Sequence, residues 1–388
     1  MRPEPRQRTW LVCLVVILTY PHFLGIACGK REPEEKPIPR AEAKPGVVET
    51  IETGRHLGQA VALLGCEVLV AVDFARAHLT ALSDGREADA LELGRAPARG
   101  LYALDEETVL VLESGGERVF KVGWGGALQQ LGAVKVCEAP SLAEVSGHTA
   151  WILCRGEGDN LHRLDTRAME VTGSWKIPGT LADMVMDPNG AWLYFTDLSG
   201  SLVRVWGVER EAEIHAIPVS PEPLRMEIAT RSTPGEGSGH RVIVTHSNSR
   251  HLTWIETGAH SVEHTSTLDV IPSGVVAAPD GGYLYMLAAG AGKLLVLATE
   301  SKAIEQRYDV PVGSTDLGWV EVGSESRVLM SGGPAGELWV WRPEFANLRL
   351  LSRMPMGSAA GRLSLGDGPE RIWLLGPQSG RAVRFRIP

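Results

Sequence analysis

Several sequence motifs of known catalytic and metal-binding sites are missing from this 388-residue sequence, and each absence narrows the range of functions to consider. There is no CxxC or CxxCH pair, and the five cysteines have no spacing typical of a zinc or haem site. The GxSxG turn of serine hydrolases is also absent. Acidic residues outnumber basic ones, 47 to 38, and no stripe of Lys and Arg is present for binding DNA or RNA. We therefore predict no catalytic motif, no cofactor, no metal site and no nucleic-acid partner.

No apolar run in the N-terminal region is long enough to be an obvious membrane span. Residues 9–27 are uncharged, but Pro21 and His22 interrupt them after about a dozen strongly apolar residues, fewer than the ~20 that a spanning helix needs. Three arginines precede the run, and small residues end it. This order is typical of a secretory signal, so residues 1–27 are predicted to be a signal peptide.

The end of this run resembles the lipobox of bacterial lipoproteins. The residues LGIA (24–27) precede Cys28, with Leu24 one position further from the cysteine than is usual in that family. The resemblance implies that Cys28 carries the lipid as the mature N-terminus. Because Gly29 rather than Asp follows, it also implies an outer-membrane location, facing the periplasm or the cell surface. The alternatives are an uncleaved anchor and ordinary signal-peptidase cleavage.

The segment after the cysteine differs from the rest of the chain. Residues 28–46 are rich in proline and charge and have no apolar periodicity. Such a composition predicts a semi-extended tether, which at ~3.1 Å per residue holds the following domain roughly 50 Å from the bilayer.

From residue 47 onward, short β-rich runs alternate with turns of Gly, Asp, Asn and Ser. Eight of these runs stop at a turn, with spacings of 40, 42, 42, 49, 42, 44 and 44, and their last residues are Asp73, Glu113, Arg155, Asp197, His246, Ala288, Gly332 and Gly376. The longest spacing contains the loop STPGEGSG (232–239). A period of ~40–45 residues with four short strands in each predicts an all-β protein, the β-propeller.

Particular phrases resemble known propeller families. MDPNGAWLY (186–194) and APDGGYLY (278–285) are similar to the SPDGxxLY phrase of YVTN propellers, and VRVWG (203–207) is similar to strand c of a WD40 blade. The resemblance to the YVTN and WD40-like superfamily covers residues 47–388. It implies blades of four strands, named a to d from the centre outward.

The number of blades follows from the two ends of this domain. The last period stops after a third strand, whereas VVETIETG (47–54) has no blade of its own. Residues 356–388 and these eight residues together make 41, which is one period. We therefore predict eight blades, the last one closed by the N-terminal strand, since closure removes the open sheet edges. Seven blades are the alternative.

Three cysteines remain after the signal and the lipidated residue. Cys137 lies just before strand a of the third blade and Cys154 ends its strand b, so both are near one face. In an oxidising envelope this position predicts a Cys137–Cys154 disulfide, with two small buried thiols as the alternative. Cys66 lies in a turn on the opposite face and is expected to be free.

The residues that end strand b change character around the ring. Five consecutive blades end in polar or ionisable residues (Asp73, Glu113, Arg155, Asp197 and His246), and the last three end in small ones. Because function on β-scaffolds concentrates in loops, we predict that these five border a contact surface for a basic segment of another envelope protein.

Two functions are consistent with this sequence. The first is a lipid-anchored binding scaffold, similar in plan to the propeller lipoprotein of the outer-membrane β-barrel assembly machinery, whose repeat motif is missing here. The second is an envelope enzyme, lactonase-like or a cofactor-dependent oxidoreductase, with its active site at the channel mouth. Isolated carboxylates such as Asp183, Asp187 and Asp316 cannot be paired for acid–base chemistry from sequence alone.

Overall fold

The computed structural model describes residues 45–388, except 74–77, 95–99, 231–239, 334, 358–360, 366–371 and 377–378. The predicted signal peptide, Cys28 and nearly all of the predicted tether lie outside this part of the chain. No helix in the part described is long and apolar enough to cross a membrane.

In the described part of the chain, thirty-two strands form eight antiparallel sheets of four strands each. The first four blades consist of β2 (Leu57–Leu63), β3 (Val68–Asp73), β4 (His78–Ser83) and β5 (Arg86–Glu92); β6 (Gly100–Ala103), β7 (Thr108–Leu112), β8 (Arg118–Trp124) and β9 (Leu128–Lys135); β10 (Pro140–Ser146), β11 (Thr149–Cys154), β12 (Leu161–Asp165) and β13 (Glu170–Trp175); β14 (Leu181–Met186), β15 (Trp192–Asp197), β16 (Leu202–Gly207) and β17 (Ala212–Pro218).

The last four blades continue the same order. They consist of β18 (Pro223–Thr230), β19 (His240–His246), β20 (His251–Glu256) and β21 (Ser261–Thr267); β22 (Gly274–Ala277), β23 (Tyr283–Ala288), β24 (Lys293–Ala298) and β25 (Ile304–Asp309); β26 (Asp316–Val322), β27 (Glu325–Gly332), β28 (Glu337–Glu344) and β29 (Asn347–Pro355); β30 (Leu363–Leu365), β31 (Ile372–Gly376), β32 (Arg381–Arg386) and β1 (Gly46–Glu52). Two short 3-10 helices, Leu64–Cys66 and Ala289–Ala291, each lie between two strands.

The N-terminal strand closes the ring. β1 pairs antiparallel with β32, and Ile51 lies opposite Ala382 and Glu52 opposite Arg381. Ile51 is 1% exposed and packs in one core cluster with Trp373 and Leu375. The predicted eight-bladed propeller with an N-terminal closing strand is confirmed, and the seven-bladed alternative is wrong.

Burial follows the position of each strand within its blade. Every residue of β3 is buried, whereas burial in β5 alternates with a period of two. A middle strand is covered by the neighbouring blade on both faces and is therefore apolar throughout, while an outer strand keeps one side in water. The indoles of Trp151, Trp254 and Trp373 are buried in the cores between blades.

The chain direction defines two faces of the ring. Each strand b ends on the side where a loop connects strand d of one blade to strand a of the next. Thr53–His56, between β1 and β2, is one such loop. We call this side the d–a face; the a–b and c–d turns lie on the other side.

Candidate functional site: the central channel and the d–a face

The inner strands surround a central cavity of about 400 Å³. Mid-strand residues line it, together with residues of the d–a loops, which place its mouth on the d–a face. Its ionisable lining residues are four acids and two bases: Glu144, Asp183, Glu227, Asp316, Arg225 and Arg362. The structure thus brings together Asp183 and Asp316, which sequence reasoning could not pair. Asp187, in contrast, accepts hydrogen bonds from backbone N–H groups of its own a–b turn.

Three of the channel carboxylates have a structural task. Each accepts a hydrogen bond from a backbone N–H of the next blade, in the pairs Asp183–Met226 (2.8 Å), Glu227–Ala277 (3.2 Å) and Asp316–Leu363 (3.0 Å). Gln59 makes the same link between the first two blades, through both polar groups of its side-chain amide. Neighbouring inner strands belong to different sheets, so these side chains join blades that share no β-ladder.

Glu144 is the exception among the four. Its carboxylate is partly buried and has no hydrogen bond or ion pair within the described residues. Burial and, to a lesser degree, the nearby charge of Asp183 raise its pKa from 4.5 to about 7. Burial likewise raises the pKa of Glu227 to about 7. Burial also raises the pKa values of Asp183 and Asp316. The channel therefore holds negative charge at a cost to stability.

We expect Glu144→Gln to stabilise the protein at pH 8. Above pH 7 the glutamate is ionised in both folded and unfolded chains, and only the folded chain buries the charge. As the pH falls toward 4.5, the folded chain takes up a proton before the unfolded chain does, so wild-type stability rises. The expected gain is ~1–2 kcal/mol at pH 8, since water in the open channel screens part of the effect.

Denaturant unfolding at pH 8 and pH 4.5 measures this gain, most of which should be lost at the lower pH. Glu157→Gln, at an exposed residue, is the control. An equal gain at both pH values would contradict the assignment to the ionised carboxylate.

Most of the predicted contact residues are buried rather than exposed. Four of the five are at most 4% exposed: Asp73, Glu113, Asp197 and His246. Glu113 pairs with Arg118 at 3.3 Å, Asp197 pairs with Arg204 at 2.7 Å, and Arg55 is 3.9 Å from Asp73. Their side chains are therefore not exposed to a partner, and the predicted contact surface itself stays a prediction.

The physical reason is the same at each position. Strand b ends beneath the d–a loop that leads into its own blade, so the side chain at this end turns inward to satisfy loop groups. Asp197 accepts a hydrogen bond from Thr180 N at 3.0 Å, and the His246 ring donates from Nδ1 to the carbonyl of Pro221 at 3.0 Å. Burial lowers the pKa of His246, which favours this neutral ring. Arg155 alone is exposed.

Cys137 and Cys154 are joined in a disulfide, with their Cα atoms 6.3 Å apart. The bond ties the loop before β10 to the end of β11 on the d–a face. His162 lies beside it, but its ring bonds Ser174 and the carbonyl of Asp159. The paired sulfurs leave no thiolate to bind a metal there. The side chain of Cys66 lies outside the described residues, so its free state stays a prediction.

The histidines of the fifth blade are dispersed. His260 meets His215 of the fourth blade, with ring centroids 5.2 Å apart, and its Nδ1 accepts a hydrogen bond from the Tyr194 hydroxyl at 3.1 Å. Among the residues that the structure describes, no third His, Cys, Asp or Glu completes a metal-binding group with this pair.

Sequence reasoning missed Glu144 and Glu227 as site residues. The available signal was an acid inside an otherwise apolar inner strand, in PSLAEVS and PLRMEIAT. Which inner-strand residues face the channel depends on the strand register, which the period alone does not determine.

No protein-family model and no curated protein matches the chain. Several solved structures are similar to it. Dihydro-heme d1 dehydrogenase NirN has a TM-score of 0.66 and 15% identity, covering 83% of this chain and 76% of that chain. Saccharomyces cerevisiae Sqt1 has a TM-score of 0.66 and 10% identity, covering 89% of this chain and 96% of that chain. BamB from Moraxella catarrhalis has a TM-score of 0.62 and 12% identity, covering 89% of this chain and 100% of that chain. At such identities the similarity shows a shared β-propeller fold.

Proposed function

We propose that this protein is a binding scaffold of the bacterial cell envelope, anchored in the outer membrane by a lipid on Cys28. Its d–a face docks a basic segment of a partner protein, with a Lys or Arg side chain entering the channel. The observation that carries the proposal is Glu144, a partly buried carboxylate with no partner among the described residues, next to Asp183.

Electrostatics support a cationic occupant. A cation placed between Glu144 and Asp183 offsets the cost of their charges, because opposite charges within a few ångströms favour the ionised carboxylates. At long range, the net charge of −9 becomes −11 when residues 1–27, which contribute +2, are removed. An acidic protein attracts a basic partner and speeds its association.

The test compares Glu144→Gln with Glu209→Gln, whose side chain lies in a c–d turn on the opposite face. Lipidated protein is cross-linked in membranes, and each recovered protein is quantified by mass spectrometry. A partner that docks in the channel should be recovered roughly tenfold less with Glu144→Gln, and recovery should fall with added salt. Equal recovery of every protein with both variants would refute channel docking.

The lipid anchor has its own test. Cys28→Ser is expected to leave the propeller folded but to release it from the membrane fraction, because the lipid is attached to the thiol. Fractionation followed by N-terminal sequencing checks this. Retention of an uncleaved variant in the membrane would show that the apolar run is itself the anchor.

An envelope enzyme is the second candidate, and one observation favours it. The pKa values of Glu144 and Glu227 are about 7, the range in which a general acid or base works best. One protein of similar fold, NirN, is a dihydro-heme d1 dehydrogenase. A cofactor absorbance band in the purified protein, or lactone hydrolysis lost in Glu227→Gln, would favour this function over the scaffold.

A further inference from the structure

A second cavity, of about 570 Å³, opens on the d–a face among the third, fourth and fifth blades. Its volume lies in the range of ~300–1,000 Å³ typical of small-molecule sites. The cavity has a cationic group (Arg155, Lys176 and Arg225) and an aliphatic wall (Leu142, Leu181, Ala182, Leu198 and Leu224).

This cavity is positively charged, whereas the chain as a whole is negatively charged. None of the described residues that line it is acidic, although the protein carries a net charge of −9. Arg155, Lys176 and Arg225 are exposed, and none of them has a side-chain ion pair within the described residues. Arg225 also lines the channel and acts there on Asp183 and Asp316, so two cations are left for a ligand. An anion is the complementary occupant.

The backbone of the cavity restricts the ligand further. The Gly156 N–H donates to the carbonyl of Glu138, and the Leu198 N–H donates to that of Thr180. The side-chain amide of Asn160 donates a hydrogen bond to the carbonyl of Ile177 and accepts one from the N–H of the same residue. A bound peptide would leave its own backbone groups unpaired against these satisfied groups and the aliphatic wall, at a cost of ~1–3 kcal/mol each.

We infer that this cavity binds an aliphatic carboxylate, a small acid with a single anionic group and about eight carbons in total. Its carboxylate lies between Arg155 and Lys176, and its chain covers Leu181, Leu198 and Leu224. Of the described lining residues, this site shares only Arg225 with the channel, and the inference stands whether or not the channel docks a protein.

Calorimetric titration of the full protein with octanoate tests the inference. Arg155→Met and Lys176→Met should each weaken octanoate binding about tenfold, while Arg210→Met, in a c–d turn on the opposite face, should leave it unchanged. Octanol, which lacks the charge, should bind at least tenfold more weakly. Hexanoate should also bind roughly tenfold more weakly, because it buries two fewer methylenes. Thermal melts confirm that each variant is folded.

Three results would overturn the inference. Octanol binding as tightly as octanoate would show a merely apolar pocket. Equal octanoate affinity in Arg155→Met, Lys176→Met and wild type would place the acid elsewhere. A short peptide ending in leucine, bound more than tenfold tighter than octanoate, would identify a peptide carboxyl terminus as the occupant. Glu144→Gln should leave octanoate binding intact, which separates this site from the proposed docking function.

Discussion

Deletion of residues 47–54 is expected to abolish cooperative unfolding of the whole propeller, although it removes only one strand of thirty-two. The deletion takes away the β1–β32 ladder, the ion pair between Glu49 and Arg384 at 3.3 Å, and the hydrogen bond from Thr53 N to Gly380 O at 2.9 Å. Loss of the Ile51 side chain alone costs ~2–5 kcal/mol. That cost is a large part of the ~5–15 kcal/mol that stabilises a typical domain. The bare edge of β32 also invites pairing between molecules.

Scanning calorimetry and sedimentation velocity measure the two effects, lost cooperativity and association. Deletion of residues 30–45 is the length control, and it should leave the melting temperature unchanged. Within the strand, Ile51→Ala should destabilise strongly, whereas Val48→Ala, at a residue 37% exposed, should have little effect. Equal melting temperatures for the two deletions would contradict closure by β1.

Asp197→Ala is expected to be the most destabilising single substitution on the d–a face, at about 3–5 kcal/mol. The carboxylate is 1% exposed and accepts hydrogen bonds from Ser199 Oγ at 2.8 Å and Arg204 Nη2 at 2.7 Å, besides Thr180 N. Its removal leaves the Arg204 guanidinium, which is itself mostly buried, with Glu213 as its one remaining partner among the described residues. The d–a loop and the b–c turn lose their shared acceptor together.

The pH dependence has a definite sign. Burial acts to raise the pKa of Asp197, but the hydrogen bonds from Ser199 and Arg204 outweigh it and hold the pKa below 3.8. This group therefore stabilises the fold above pH 3.8, and its contribution is lost as the pH falls through the lowered value. Urea unfolding at pH 7 and pH 3 should show the difference between wild type and Asp197→Ala shrinking at the lower pH.

Asp165→Ala is the matched control for this substitution. Asp165 also accepts hydrogen bonds from two backbone N–H groups of a turn, Arg167 at 2.8 Å and Ala168 at 3.0 Å, but these hydrogen bonds are exposed to solvent. Its loss should matter much less, because water replaces the missing acceptor. Equal destabilisation by the two substitutions would show that burial of Asp197 contributes nothing.

The fold was predictable because two simple constraints act on the whole chain. A period of 40–49 residues specifies one blade, and the count of residues left at the two ends requires residues 47–54 to join the last blade. The disulfide partners were likewise placed on one face by the strand order alone. These inferences need only the direction of each strand, which alternates along the chain.

The site was less predictable because it depends on side-chain direction. Asp197 is the last residue of its strand b and Arg155 directly follows the last residue of another, yet one is buried under a loop and the other is exposed. Polarity at a strand end was interpreted as exposure, whereas loop N–H groups attract the side chain inward. Glu144 and Glu227 were missed because their strands are mostly apolar and were therefore expected to be buried. Both side chains instead line the central channel, which is polar.

The links between inner strands also bear on how this sequence came to look as it does. Asp183, Glu227 and Asp316 each reach a main-chain N–H of the next blade, a group that every residue except proline supplies. Such a link places almost no demand on the side chain opposite, so the residue that supplies the N–H can change without breaking the link. The inner strands are therefore free to diverge in sequence at these positions while the link between the blades is kept.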